Sequence, residues 1–314
     1  MSKFAFVFPG QGSQSVGMLD AWGDHPVVRD TLAEASDALG EDVGALIHNG
    51  PKEALALTTN TQPVMLVAGV AAYRVWRAEG GALPAVLAGH SLGEYAALVA
   101  AGALTLAQAA PLVRFRAQAM QDAVPVGQGA MAAILGLPSD QVVAGCREAQ
   151  STLGGGEVVE AVNFNDPSQT VIAGSKAGVE KACEVLKAAG AKRALPLPVS
   201  APFHSSLMRP AAEWLASRLA TTDLAAPALP VVNNIDVSVE TDVVRIKDAL
   251  VRQAYGPVRW VECIQSIQTM GVTHVVECGP GKVLAGLVKR ITPDLQGLAL
   301  YDPATLADVK GVLA

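Results

Sequence analysis

Hydrophobic positions fall into two kinds of run along this chain. Short, wholly apolar stretches end at Gly or Pro, and longer stretches carry apolar residues at helical spacing. Phe4 to Phe8 is apolar throughout and stops at Pro9-Gly10, the pattern of a strand buried on both faces. A helix is expected over 63–78, with Asn60 or Thr61 as N-cap and Pro63 in its first turn. Ala85 to Ala88 forms a second apolar run, which leads through Gly89-His90-Ser91-Leu92-Gly93 into an alanine-rich helix ending near Gly102. Thr105 opens the next helix, which carries Arg114 and Arg116 and has Pro111 as its kink point. Strands that alternate with helices predict a parallel α/β sheet.

The rhythm changes between about 129 and 197. There the order reads strand 131–135, helix 139–150, strand 158–164, an Asn165-Asp166-Pro167 turn, strand 170–173, helix 176–189 and strand 193–197. This β-α-β-β-α-β succession is the ferredoxin-like order. Alternation then resumes, with strands expected at 230–234, 274–277 and 298–300. The expected fold is α/β: an α/β-hydrolase-like parallel-sheet core, residues 1–128 and 198–314, carrying an inserted ferredoxin-like subdomain, residues 129–197. A ligand would bind in the crevice between the two.

Composition narrows the function. Only 17% of the 314 residues are charged and the formal net charge is −6, which argues for a packed globular enzyme and against a nucleic-acid partner. The apolar stretch from Pro63 to Trp76 is interrupted by Arg74 and is too short to span a membrane. Cys146, Cys183, Cys263 and Cys278 are widely spaced, as in a reduced, cytoplasmic protein. The five histidines show no metal-ligand spacing, so no metal is expected.

Gly89-His90-Ser91-Leu92-Gly93 fits G-x-S-x-G, with a strand before it and a helix after it. That chemistry needs a tight turn that exposes the serine oxygen, glycines that let backbones approach, and helix N–H groups facing a developing oxyanion. His204 follows the serine in chain order, as the base does in α/β-hydrolase sites. His25 and His48 precede it, and His274 opens an expected strand.

Four motifs in order, and a shorter match at Gly129-Ala130-Met131-Ala132-Ala133-Ile134, resemble the malonyl-CoA:acyl carrier protein transacylase family. They are Phe8-Pro9-Gly10-Gln11-Gly12-Ser13-Gln14, Gly89-His90-Ser91-Leu92-Gly93-Glu94-Tyr95, Val199-Ser200-Ala201-Pro202-Phe203-His204-Ser205 and Glu277-Cys278-Gly279-Pro280-Gly281-Lys282. The resemblance runs from about residue 4 to residue 290. It implies that Ser91 forms an acyl ester, that His204 is its base, and that a carbonyl of Gln253 orients the histidine, with Asn233 and Asp236 as alternatives. It further implies an oxyanion hole made of the Gln11 and Leu92 backbone N–H groups, and Arg116 as the partner of a malonyl carboxylate. His90 adjoins the acyl group, and Phe203 occupies the neighbourhood that separates malonyl from branched acyl groups. The substrates so implied are malonyl-CoA and a phosphopantetheinylated acyl carrier protein, with no further cofactor and no membrane partner. The basic pairs Lys192-Arg193 and Lys289-Arg290 are candidates for docking the acidic carrier. The same serine would also serve a thioesterase, or an acyltransferase of a polyketide-type pathway.

Overall fold

The computed structural model describes residues 2–199 and 201–314; Ser200, part of the histidine motif, lies outside the described residues. The strands are β1 (Phe4–Phe8), β2 (Val86–Gly89), β3 (Gly129–Leu135), β4 (Val159–Asp166), β5 (Gln169–Ser175), β6 (Arg193–Pro196), β7 (Val231–Val232), β8 (His274–Cys278) and β9 (Gln296–Leu300). Five of them form a parallel sheet in the order β7-β2-β1-β8-β9, and four form a separate antiparallel sheet in the order β4-β5-β3-β6.

The wholly apolar β1 follows from its place at the centre of the parallel sheet, between β2 and β8. Its alternate side chains enter two different cores. Phe4, Phe6 and Phe8 face the long helix Thr58–Ala78, where Phe6 meets Tyr73 and Trp76 edge-on at ring distances of 5.8 and 5.5 Å. Ala5 and Val7 face the opposite layer, with Trp260, Ile264 and Val288. A strand covered on both sides has no use for a polar residue.

The helix Thr58–Ala78 starts five residues before the expected Pro63, because Asn60 and Thr61 do not cap it. Asn60 Nδ2 donates to Ala54 O, and the Thr61 hydroxyl to Leu55 O and Leu57 O, so both side chains tie the helix to the preceding turn. Pro63 is accommodated inside the helix, as is Pro111 within Leu106–Asp122. Thr105 does cap that second helix, in a reciprocal pair with Gln108. The strand expected at 230–234 shortens to Val231–Val232, since Asn233 turns away to bond Ser238.

In the small sheet, Met131 and Ala133 of β3 face Phe203 and Met120, while Ala132 and Ile134 face the helices Ser139–Leu153 and Lys176–Ala188. One face of this sheet thus lies over the end of the larger body. Backbone bonds Phe164 N to Val258 O, 3.0 Å, and Val258 N to Val162 O, 2.8 Å, join β4 directly to that body. No helix of the described residues is long and apolar enough to cross a membrane. The four cysteines are free, three of them buried.

Candidate active site

The site assembles at the carboxyl ends of β1 and β2, where parallel sheets place their ligands. β2 ends at Gly89 and the helix Gly93–Ala100 begins almost at once, so the chain reverses within three residues. Only glycine fits at either end of that turn. A Cβ on Gly89 would lie 1.9 Å from the Gly93 carbonyl carbon, and one on Gly93 would lie 2.2 Å from Phe8 O. Ser91 between them takes φ 52°, a left-handed conformation that costs a serine about 1–3 kcal/mol. Hydrogen bonds hold the turn in place: Ser91 N donates to Asn234 Oδ1 at 2.8 Å, and Asn234 Nδ2 donates to Gly89 O at 2.8 Å.

His204 comes from a tight loop that also holds a left-handed residue, its own φ being 66°. Its Nε2 lies 2.7 Å from Ser91 Oγ, and its Nδ1 lies 2.8 Å from the backbone oxygen of Gln253. A carbonyl only accepts, so Nδ1 carries the proton and Nε2 presents its lone pair to the serine. Gln253 is fully buried near the end of helix Val243–Tyr255, not at the surface. The other orienting candidates are engaged elsewhere: Asn233 bonds the Ser238 turn, and Asp236 forms a two-pronged pair with Arg252 at 2.7 and 2.6 Å.

Arg116 is 1% exposed. Its Nη1 donates to Gln62 Oε1 at 2.5 Å, and its Nη2 donates to Gln253 Oε1 at 3.0 Å and to Ser91 Oγ at 3.1 Å. The Tyr95 ring lies 5.5 Å from the guanidinium carbon. These hydrogen-bond partners are neutral, and Nε is buried with no partner among the described residues. The nearest carboxyl, Glu94, touches the other end of the Gln253 amide and acts on the guanidinium only through space, so the cation has no anion in direct contact, an arrangement that leaves it able to pair with an entering carboxylate. Its neighbour on the helix, Arg114, turns outward to pair with Glu41.

Because Arg116 only donates, Ser91 Oγ must accept there, and its own proton is directed at His204. Burial first, then the Arg116 charge, pushes the His204 pKa down to about 3, so the ring is neutral and free to accept. Burial likewise lowers that of His90, whose Nε2 lies 2.8 Å from Asn165 Oδ1 and whose ring tilts against Trp260. Glu94, beneath the serine turn, is raised to about 7, chiefly by burial.

The cavity over Ser91 holds about 110 Å³ and is lined by Gln11, Leu92, His90 and Phe203 besides the reacting pair and Arg116. That is well below the size of a site for drug-like ligands, so it suits a short acyl group. Phe203 narrows it, 8% exposed and packed with Met120 and Met131. A larger hollow of about 430 Å³ opens at the other end of the sheet, beside Phe4 and Trp76, away from Ser91 and His204.

The basic pairs fall in different places. Arg290 forms an ion pair at 2.8 Å with Asp166, which adjoins the Asn165 that bonds His90. Lys192 and Arg193 are exposed at the outer end of the small sheet. Arg193 pairs with Leu135, about 13 Å along β3 from the cavity-lining Met131. Sequence reasoning gave no role to Gln62, Glu94 or Asn234. Glu94 stood inside the serine motif, but its burial was the missing signal; Gln62 and Asn234 carry no motif at all.

Residues 5–299 match the acyl transferase domain family. The malonyl CoA-acyl carrier protein transacylase of Escherichia coli strain K12 is 55% identical, with 98% of each chain covered. The crystal structure of an acyl-carrier-protein S-malonyltransferase from Burkholderia pseudomallei superposes with a TM-score of 0.95 at 67% identity, covering 98% of this chain and 99% of the other. A type II polyketide-synthase malonyl-transacylase, solved in complex with its acyl-carrier protein, superposes with a TM-score of 0.95 at 51% identity and 98% coverage of both chains. A serine in a strained turn, a neutral histidine on its oxygen and a caged arginine beside it agree with that ancestry: the chain belongs to the acyl transferase family, among the malonyl-CoA:acyl carrier protein transacylases.

Proposed function

We propose that the protein transfers a malonyl group from malonyl-CoA to the phosphopantetheine thiol of an acyl carrier protein, through a malonyl ester on Ser91. The observation that carries this reading is the Arg116 guanidinium, buried among uncharged hydrogen-bond partners 3.1 Å from the oxygen that His204 touches at 2.7 Å. An acyl group bound to that oxygen and ending in a carboxylate completes the cage; acetyl leaves it empty.

In the first half-reaction His204 Nε2 takes the Ser91 proton as Oγ attacks the thioester carbonyl. The oxyanion is met by the Leu92 and Gln11 backbone N–H groups, while Arg116 grips the distal carboxylate. The C–S bond breaks, and coenzyme A leaves as the thiol with the proton from His204. In the second half the carrier thiol gives its proton to His204 and attacks the ester. The Oγ–C ester bond breaks, His204 returns the proton to Ser91 Oγ, and the malonyl thioester of the carrier leaves, giving ping-pong kinetics. Bond making and proton traffic fall wholly on side chains and backbone of this site, so the route calls for no metal or redox group. His90 and Phe203 shape the acyl end of the cavity, and Phe203 leaves little room for an α-branch. The small sheet, taken as an inserted subdomain of residues 129–197, forms the second wall. Lys289, next in sequence to the Asp166-paired Arg290, and Lys192 and Arg193 at the outer end of the small sheet would offer positive charge to an acidic carrier, in a reaction we assign to the cytoplasm.

Intact-protein mass after brief mixing with malonyl-CoA, then with holo carrier protein, tests the proposal. A malonyl adduct is expected on the wild type and not on Ser91→Ala, and it should move to the carrier. An adduct that decays to free malonate instead would make the protein a thioesterase. Fatty acid synthesis is the pathway proposed; the neighbour solved with a type II polyketide-synthase carrier favours a second reading in which the carrier belongs to such a pathway. Relative kcat/KM across carriers of both kinds separates the two. Charge reversal at the two basic pairs should raise the KM for carrier alone; an unchanged KM removes them from docking.

A further inference from the structure

We propose that Glu94 is a positioning residue, whose single buried carboxylate oxygen holds the serine turn and the histidine-orienting carbonyl in one fixed relation through Asn234 and Gln253. The inference rests on Ser91 and His204 being the reacting pair.

Glu94 is the second residue of the helix that follows the serine turn, and it is 3% exposed. Its Oε2 accepts two hydrogen bonds, from Asn234 N at 2.9 Å and from Gln253 Nε2 at 2.8 Å. Two short chains of contacts leave that atom. Along the first, the fully buried Asn234 side chain clasps the serine turn from both sides, accepting from Ser91 N and donating to Gly89 O, each at 2.8 Å. Along the second, Gln253 Nε2 also donates to Ser91 O at 3.1 Å, and the backbone oxygen of the same residue receives His204 Nδ1 at 2.8 Å. Each chain reaches one member of the pair, and both members are held in left-handed backbone conformations that would relax if released.

The surrounding structure braces the same three residues. Arg252, one residue before Gln253, is locked to Asp236 by two hydrogen bonds, and Arg259 N donates to Asn234 O at 3.2 Å. Glu94 itself forms no ion pair with either arginine. A carboxylate needed only for packing would have no reason to sit where both chains converge.

Both hydrogen bonds end on one oxygen, so positioning requires an acceptor there; any negative charge on Glu94 acts instead on Arg116, through space. Glutamine can present its carbonyl oxygen to the same two donors, whereas alanine removes the junction. The expectation is therefore a pattern across variants. Glu94→Ala should lower kcat by about a hundredfold, the cost of a misplacement of roughly 1 Å in a reacting pair. KM for malonyl-CoA should stay within about threefold, because Gln62 and Ser91 still hold Arg116. Turnover of acetyl-CoA should fall by the same factor as malonyl-CoA, since the pair and not the carboxylate site is disturbed. Glu94→Gln should recover to within about threefold of the wild type.

The experiment is steady-state kinetics with both thioesters on the full-length wild type, E94A, E94Q and Ser91→Ala, with near-UV circular dichroism as the check of folding. If E94A does not fold, Asn234→Ala, which removes the clasp on the serine turn and a longer 3.4 Å contact from Gln253 Nε2 while leaving the backbone bond to Glu94, is measured in its place and should show the same fall in kcat. A folded E94A or Asn234→Ala with kcat within about twofold of wild type overturns the proposal, as does a loss confined to KM or an E94Q as impaired as E94A. Failure of the underlying reading looks different: the wild type would form no acyl adduct, or Ser91→Ala would keep turning over.

Discussion

Removing the Arg116 guanidinium should separate the two acyl groups more sharply than any other single change. In Arg116→Ala a malonyl carboxylate would enter a cage whose remaining polar groups are the amides of Gln62 and Gln253, both almost fully buried. Breaking a buried charged pair from one side costs about 3–5 kcal/mol. At about 1.4 kcal/mol per decade, kcat/KM for malonyl-CoA should fall by roughly two to three and a half orders of magnitude. Acetyl-CoA carries no carboxylate and loses nothing of this kind. The same change also withdraws the positive charge that, after burial, most depresses His204, so the base becomes stronger for an acetyl substrate. Acetyl transfer should therefore hold or rise. Stopped-time assays of carrier acylation with both thioesters, at fixed carrier concentration, give the two ratios directly. A fall by the same factor for malonyl and acetyl would refute the reasoning, because it would mean that Arg116 acts through Ser91 Oγ, its other contact, and not through the substrate.

Other expectations follow from the same geometry. Gln62→Glu places a resident carboxylate 2.5 Å from Arg116 Nη1 and should raise KM for malonyl-CoA by about tenfold or more while sparing acetyl-CoA; an unchanged KM would remove the cage argument. His204 is held near 3 in the fold against about 6.5 when unfolded, so the unfolded chain binds the extra proton between those values and stability is lost as pH falls through that window. The acidic limb of kcat/KM for malonyl-CoA should accordingly lie below pH 5, and a limb near pH 6.5 would show that His204 is not so depressed. Gly89→Ala should abolish folding or serine reactivity, because its methyl carbon would sit 1.9 Å from a backbone carbon; a stable, active variant would refute the tight-turn account.

Much of this architecture was legible because period and punctuation carry it. The β-α-β-β-α-β segment was placed to within about three residues at each boundary, and Gly136 and Gly190 mark two of its breaks. The expected Asn165-Asp166-Pro167 turn sits later, because Asn165 and Asp166 still belong to β4 and the chain reverses at Pro167 and Ser168. The start of the long helix was misplaced because Pro63 reads as a first-turn residue, whereas burial of Thr58, Thr61 and Gln62 against the core extends the helix past it. Ser91 and His204 stood in motifs, Arg116 was implied only by the family resemblance, and their meeting in one cavity required the fold. Gln62, Glu94 and Asn234 were invisible for a physical reason: each acts by accepting or donating one or two bonds at a buried point. Spacing along the chain says nothing of which polar side chain will be enclosed. Gln253 shows the same limit from the other direction, since its backbone oxygen meets His204 while its side chain serves Arg116 and Glu94.

The position of β1 bears on how the chain is made. This strand leaves the ribosome before either of its sheet neighbours, yet it is the middle of its sheet, and its partner β8 begins at His274. At about 5–20 residues per second, that partner arrives on the order of tens of seconds later. During the interval a five-residue apolar strand has an open edge toward any neighbouring chain. Early pairing with β2, beginning at Val86, covers one side only. A nascent chain arrested before β8 should therefore be held by chaperones or aggregate, and a permuted chain that starts between β2 and β3 would emerge in a different order of risk.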